Sequence, residues 1–250
     1  MTDAVTEGID AEKVASWLHK QVSGVNPPLK YQLIAGGHSN LTYRVEDQDE
    51  NIYVLRRPPL GHVLATAHDM AREHRIISAV GNTDVPVPPT LGVCEDDEVN
   101  GAPFYVMEYV DGEVLHSEAE ANLVPVSERM DLSRQVVEVL AELHAIEPED
   151  IGLGDLAKRE DYLGRQLRRW SRQWEQSKTR ELEVMEEVQD LLERRKPEQI
   201  GSTIVHGDYR LGNMLTRSGR ILAVLDWELC TLGDPLADVG YLLNNWVEPD

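Results

Sequence analysis

The chain has 250 residues, of which 41% are hydrophobic and 28% are charged, and its formal net charge at pH 7 is −21. This length allows one large domain or two lobes with ordinary apolar cores. Such an excess of acid argues against a nucleic-acid-binding protein, and no apolar run approaches the length of a membrane-spanning helix. Cys94 and Cys230 lack metal-ligand spacing, and residues 1–8 do not resemble a signal peptide, so we expect a cytoplasmic protein.

The first hundred residues predict a small antiparallel sheet with one helix. Two strands, 31–35 and 41–46, flank a turn with two glycines. Because glycine allows a close approach of the backbone and small polar side chains add donors, Gly37, Ser39 and Asn40 are candidate phosphate contacts. A Gly-Gly turn between strands is more often only a turn. The glycine-rich G-x-G-x-x-G motif of protein kinases is absent.

The strand predicted at 52–56 carries a cation among apolar residues. Period-two alternation predicts that Arg56 points inward and that Arg57 faces outward. An unpaired buried charge is costly, so an inward Arg56 needs a partner. The helix predicted at 68–80 supplies Glu73. The alternative is an ordinary pair of solvated surface charges.

An apolar strand at 104–110, paired with 92–94 across an acidic turn, completes the predicted sheet. We expect it to be an edge strand that runs into a hinge. The sequence then divides into a smaller lobe, residues 1–110, and a helical lobe, residues 111–250. Three helices are predicted in the second lobe, 127–146, 162–174 and 181–195, of which the last two are strongly charged. The arginine-rich face of helix 162–174 favours a solvated, acid-paired surface over an anion site.

The most informative segment begins at His206 and reads His-Gly-Asp-Tyr-Arg-Leu-Gly-Asn. Asp208 follows a short apolar strand, Asn213 comes five positions later, and Asp226 comes thirteen positions after Asn213. Metal-dependent phosphoryl transfer needs a carboxylate for the attacking hydroxyl and oxygen ligands for magnesium. A predicted hairpin brings Asn213 and Asp226 together at its open end. Each residue alone suits a turn, but the three in this order match the catalytic loop of protein kinases.

These segments, with Leu225-Asp226-Trp227-Glu228 and Gly233-Asp234-Pro235-Leu236-Ala237-Asp238 after them, resemble the aminoglycoside phosphotransferase family. That family includes choline-kinase-like and other small-molecule kinases. The resemblance implies an α+β, two-lobed protein-kinase-like fold, with a small antiparallel-sheet, nucleotide-binding N-terminal lobe and a mostly helical, catalytic C-terminal lobe. It implies that Asp208 is the catalytic base and that Asn213 and Asp226 bind Mg2+.

The same resemblance implies that Arg56, paired with Glu73, holds the nucleotide phosphates, and that the backbone of Glu108 and Val110 contacts the base. Arginine in place of lysine changes the geometry of phosphate binding, because a planar fork replaces a point charge. Glu228 is a weaker candidate for the metal. Asp238 has two interpretations: it forms a hydrogen bond with the catalytic loop, as the resemblance implies, or it is a helix acid that faces solvent.

The expected reaction is Mg-dependent transfer of the γ-phosphate of ATP, or GTP, to a hydroxyl of a small molecule. The acceptor is an aminoglycoside, an amino alcohol or a hydroxyacyl-CoA; the last is included because residues 54–59 resemble kinase domains fused to acyl-CoA dehydrogenases. The chain ends earlier than the family usually does, so we expect an incomplete C-terminal lobe. An inactive nucleotide-binding pseudokinase is the alternative. We expect neither a nucleic-acid nor a membrane partner, and the sequence does not predict the oligomeric state.

Overall fold

The computed structural model describes residues 6–35, 40–61 and 69–244. It divides into two units, of which the first comprises Met1–Val139 with Leu211–Glu228 and the second comprises Leu140–Arg210 with Leu229–Asp250. The lobe boundary predicted after Val110 stays a prediction.

The strands are β1 Lys30–Ala35, β2 Leu41–Glu46, β3 Ile52–Arg57, β4 Thr90–Cys94, β5 Phe104–Glu108, β6 Glu113–Val114, β7 Thr203–Val205, β8 Met214–Arg217, β9 Arg220–Val224 and β10 Thr231–Gly233. The helices are α1 Ala11–Gln21, α2 Met70–Val80, α3 Asp97–Asn100, α4 Glu118–Ala121, α5 Val126–Ala145, α6 Tyr162–Ser177, α7 Glu183–Arg195 and α8 Leu236–Asn244.

A five-stranded antiparallel sheet in the order β1-β2-β3-β5-β4 forms the centre of the first unit. The strands predicted in the first hundred residues are present to within two residues at each end. The prediction that β5 forms the edge of the sheet is wrong, because β5 pairs with β3 on one side and with β4 on the other. Four successive residues of β5 are buried, as expected for a strand with neighbours on both sides.

Helix α1 covers a sheet face that the sequence analysis left open to solvent. Its buried residues Val14 and Leu18 join Tyr43, Leu55 and Phe104 in one apolar core. Arg57 lies on the same face of β3 as Leu55 and is only 6% exposed, so the prediction that it faces outward is wrong. Its guanidinium donates to the carbonyl oxygens of Gly8, Pro58 and Asn100. Among the described residues, the partners of this buried cation are therefore carbonyl oxygens.

The first unit also contains the predicted hairpin of β8 and β9, to which β6 adds a third strand. The turn at Ser218 and Gly219 has positive φ angles of 49° and 68°, which suit a tight hairpin turn. Gln135 of α5 donates to the carbonyl of Gly219 at 2.8 Å and accepts from the N–H of Ile221 at 3.2 Å. These contacts fix the closed end of the hairpin, and therefore the direction of its open end.

The second unit contains helices α6, α7 and α8 and a pair of antiparallel strands, β7 and β10. Helices α6 and α7 confirm the two charged helices predicted from the sequence. Strand β10 was not predicted, and it pairs with the strand that leads to the predicted catalytic loop. Across the described ranges, no helix combines the length and the apolar character needed to cross a membrane.

Candidate active site

Arg56 lies at the centre of a cluster of charged side chains in the first unit. It is 8% exposed, and its Nη1 donates to Oε1 of Glu73 at 2.9 Å. The predicted pairing of strand cation and helix acid is therefore present. Nη2 of the same guanidinium donates to Oδ1 of Asp226 at 3.1 Å, a contact that the sequence analysis did not predict. Arg56 thus bridges the helix acid and the candidate metal acid.

The surroundings keep Arg56 charged. Burial opposes the charge, but Tyr105, Glu73 and Asp226 outweigh that effect and raise the pKa of Arg56 above its usual value. Burial also raises the pKa of Tyr105 well above its usual value, and the negative charge of Glu73 adds to this shift. The Tyr105 hydroxyl therefore stays protonated beside the ion pair. A planar guanidinium suits this position because it offers separate N–H groups to two acids at once.

Asn213 and Asp226 occupy the open end of the β8–β9 hairpin, as predicted. Asn213 ends a short 3-10 helix and is 7% exposed, and its carbonyl accepts from the N–H of Leu225 at 2.8 Å. Asp226 directly follows Leu225, and its φ of 66° lies in the left-handed region. Such a backbone costs a residue other than glycine roughly 1–3 kcal/mol and is found most often at functional sites. The side chain of Asp226 is 30% exposed, so a ligand can reach its carboxylate.

Asn40 is the one residue of the predicted phosphate turn that lies within the described ranges; Gly37 and Ser39 lie outside them. Asn40 is 2% exposed. Its Nδ2 lies 3.2 Å from Oε2 of Glu228 and 3.5 Å from Oε2 of Glu73. Glu228 belongs to a 3-10 helix that begins directly after Asp226. Asn40 therefore contacts Glu73, which is a member of the Arg56 cluster, and Glu228, which lies two residues after Asp226.

Asp238 organises the predicted catalytic loop in the second unit. It is fully buried at the start of α8, and its two oxygens accept from the N–H groups of His206 and Gly207, both at 2.8 Å. Nε2 of His144, on α5, lies 3.0 Å from the same carboxylate. Of the two interpretations of Asp238, the structure supports the hydrogen bond to the loop. Gly207 has a φ of 86°, and an added Cβ would lie 3.0 Å from the Leu229 carbonyl oxygen, so glycine is required there.

Asp208 follows this anchored segment. Its N–H donates to Nδ1 of His206 at 3.2 Å, and Nε of Arg210 lies 3.3 Å from its Oδ1. The Asp208 side chain is 20% exposed, so its carboxylate is oriented but still open to solvent. Asp208 belongs to the second unit, whereas Asn213 and Asp226 belong to the first. The joint action of the three residues therefore stays a prediction.

The predicted base-binding residues, Glu108 and Val110, lie at and just after the end of β5, an inner strand of the sheet. Glu108 is the last residue of β5, and its N–H donates to the carbonyl of Pro89 at 2.8 Å. The carbonyl of Val110 accepts from the N–H of Gly112 at 3.0 Å. The contact of Glu108 and Val110 with a nucleotide base stays a prediction. Within the described residues, no group of three or more His, Cys, Asp or Glu side chains is placed to hold a metal ion.

Comparison with known proteins identifies similar folds. The model of the phosphotransferase enzyme family matches residues 30–250. A crystal structure from Ralstonia eutropha, provisionally assigned as an aminoglycoside phosphotransferase, is 36% identical with a TM-score of 0.80, over 96% of this chain and 71% of that one. The streptomycin–ATP complex of APH(2")-IIa is 21% identical with a TM-score of 0.65, over 93% and 75% of the two chains. These likenesses confirm the predicted α+β, protein-kinase-like fold.

Longer proteins contain a similar segment. Mouse acyl-CoA dehydrogenase family member 10 is 38% identical over 216 residues, which cover 86% of this chain and 20% of that protein. Human acyl-CoA dehydrogenase family member 11 is 30% identical over 239 residues, which cover 93% of this chain and 30% of that protein. The chain therefore spans between a fifth and a third of the length of these relatives.

Proposed function

This chain belongs to the phosphotransferase enzyme family, and from that premise we propose that it is a magnesium-dependent kinase that transfers the γ-phosphate of ATP to a hydroxyl of a small molecule. The observation that carries the proposal is the position of Arg56 between Glu73 and Asp226. Kinases place a cation, paired with a helix acid, beside the acid that binds magnesium, because the nucleotide phosphates need both charges.

The donor set at the open end of the hairpin suits magnesium. Asn213 and Asp226 offer an amide oxygen and a carboxylate, which are hard oxygen ligands, and magnesium usually takes few such ligands besides phosphate oxygens and water. Magnesium held there would neutralise the charge on the phosphates. Arg56 would bind phosphate oxygens through its guanidinium. Asp208 would orient the substrate hydroxyl and accept its proton as the oxygen attacks the γ-phosphorus in line with the leaving ADP.

The relatives support a choice among the acceptor classes. Because acyl-CoA dehydrogenase family members carry a segment 38% identical to this chain, we favour a hydroxyacyl-CoA as the acceptor. An aminoglycoside or amino alcohol is the second candidate, supported by the provisionally assigned neighbour and by the net charge of −21, which favours cationic substrates. We propose neither a nucleic-acid nor a membrane partner. The buried cysteines Cys94 and Cys230 suit a reducing cytoplasm.

The first test is nucleotide binding. We expect Mg-ATP to raise the midpoint of thermal unfolding, because a ligand at 100 times its Kd adds about 2.7 kcal/mol of stability to the state that binds it. The rise should require magnesium and should disappear in Asp226→Asn, which keeps a side chain suited to the left-handed backbone at that position. Mg-GTP, measured in parallel, identifies the preferred nucleotide.

The matched control is Asp84→Asn, because Asp84 is an exposed acid of the same unit. It should respond to nucleotide like the unsubstituted chain. Absence of a rise with both nucleotides would contradict the proposal. A rise without phosphate transfer to any acceptor class would instead support the alternative, an inactive nucleotide-binding pseudokinase.

A further inference from the structure

Asn40 lies between two acids of the first unit, Glu73 and Glu228. We propose that Asn40 is a positioning residue, which holds the Asp226 segment in place by bridging Glu73 and Glu228. Its Nδ2 lies 3.2 Å from Glu228 and 3.5 Å from Glu73, and the residue is 2% exposed. This differs from the direct phosphate contact that the sequence predicted for Asn40. The effect on magnesium, though not the bridge itself, rests on the proposed function.

The contacts form a closed ring. Asp226 accepts from Arg56, Arg56 donates to Glu73, Glu73 lies beside the Asn40 amide, and that amide donates to Glu228. Glu228 is two residues from Asp226, so the backbone closes the circuit. Arg56 therefore holds the side chain of Asp226 directly, and Asn40 holds the Asp226 segment through Glu228. The left-handed backbone of Asp226 is strained and needs such support from its surroundings.

An amide is the group that this position requires. Ionised carboxylates only accept hydrogen bonds, and a donor placed between Glu73 and Glu228 can serve both. The NH2 group of Asn40 has two N–H bonds and no net charge, and it can serve one acid with each. An aspartate of the same shape would place a third negative charge beside Glu73 and Glu228. A cationic side chain would compete with Arg56 for Glu73.

Asn40 directly precedes β2, and in the sequence it directly follows residues 36–39, which lie outside the described ranges. Direct side-chain partners of metal ligands typically change metal affinity about 10- to 100-fold when they are removed. Asn40 acts on Asp226 through Glu228 and Glu73, so loss of this bridge should weaken magnesium binding by an amount near the lower end of that range. The nucleotide should still bind through Arg56, but only at a higher magnesium concentration.

A double-mutant cycle of Asn40→Ala and Glu228→Ala tests the bridge in the full chain. In urea unfolding without nucleotide, the double variant should lose less stability than the sum of the two single losses. The magnesium concentration that gives half of the Mg-ADP-induced rise in melting temperature should increase about 10-fold in each single variant and no further in the double variant. Asn40→Ser, which keeps one donor, should show a smaller increase and covers the case in which Asn40→Ala does not fold. Asn82→Ala, which removes an exposed amide of the same unit, should leave both measurements unchanged.

Two results would overturn the inference. Additive losses in the unfolding cycle would show that Asn40 and Glu228 do not act together. Weaker ADP binding in Asn40→Ala at an unchanged magnesium requirement would show that Asn40 contacts the nucleotide directly. Absence of any Mg-ADP response in the unsubstituted chain would contradict the proposed function, and the unfolding cycle without nucleotide would still support or overturn the bridge.

Discussion

Replacement of Asp208 with asparagine is expected to lower kcat for phosphate transfer by about 10^2- to 10^4-fold, the usual contribution of a general base. Magnesium–nucleotide binding should stay nearly unchanged. The reason is the way the loop is held: backbone N–H groups of His206 and Gly207 bind Asp238, so the loop does not depend on the Asp208 carboxylate for its position. Asparagine keeps the size of the side chain but cannot accept the hydroxyl proton.

Steady-state transfer rates and the nucleotide-induced rise in melting temperature separate the two effects of this substitution. Asp150→Asn is the control, since Asp150 is an exposed acid of the same unit as Asp208, and it should change neither quantity. If Asp208→Asn lost nucleotide binding to the same extent as Asp226→Asn, the assignment of one acid to the base and the other to the metal would be wrong.

Local patterns predicted the parts of the fold that depend on neighbouring residues. Segments bounded by turn residues located β1, β2 and β3, in the last of which side chains alternate between the two faces of the sheet, and the turn residues Ser218 and Gly219 located the hairpin that carries Asn213 and Asp226. A hairpin needs only a short turn and two complementary strands, so its information lies within a few residues. The inward direction of Arg56 followed from the same alternation.

Strand alternation gave the wrong exposure for Arg57, which is buried. Alternation assigns side chains to two faces, but it does not say whether a second element covers the outer face. Helix α1 supplies that cover, and it had signals of its own, namely Asp10 as its N-cap and the spacing of Val14 and Leu18. Because α1 was not predicted, the face that holds Leu55 and Arg57 was treated as solvent-exposed.

The contacts that connect the site could not be predicted from spacing. Arg56 and Asp226 are 170 positions apart, and Asn40 and Glu228 are 188 positions apart. No local periodicity relates residues so distant in the chain. The resemblance to a kinase family supplied roles for single residues, but the bridge from Arg56 to Asp226 and the ring through Asn40 depend on how strands, helix and hairpin pack in three dimensions.

Replacement of Arg56 with methionine is expected to destabilise the folded chain by about 3–5 kcal/mol, because it leaves the buried Glu73 and the partly buried Asp226 without their cation. Arg56→Lys should lose less, since it keeps the charge but not the fork that reaches both acids. The double variant Arg56→Met with Glu73→Leu should recover part of the loss, because it removes the uncompensated buried carboxylate along with its partner.

Urea unfolding measures these differences, and Arg44→Met is the matched control on the neighbouring strand. Arg44 pairs with Glu46 through a side chain that is 28% exposed, so water replaces the lost contact and its loss should be much smaller. Equal losses at the two arginines would contradict the burial argument. Recovery of stability in the double variant without recovery of nucleotide binding would show that Arg56 is retained for phosphate binding, since an apolar pair could then support the fold equally well.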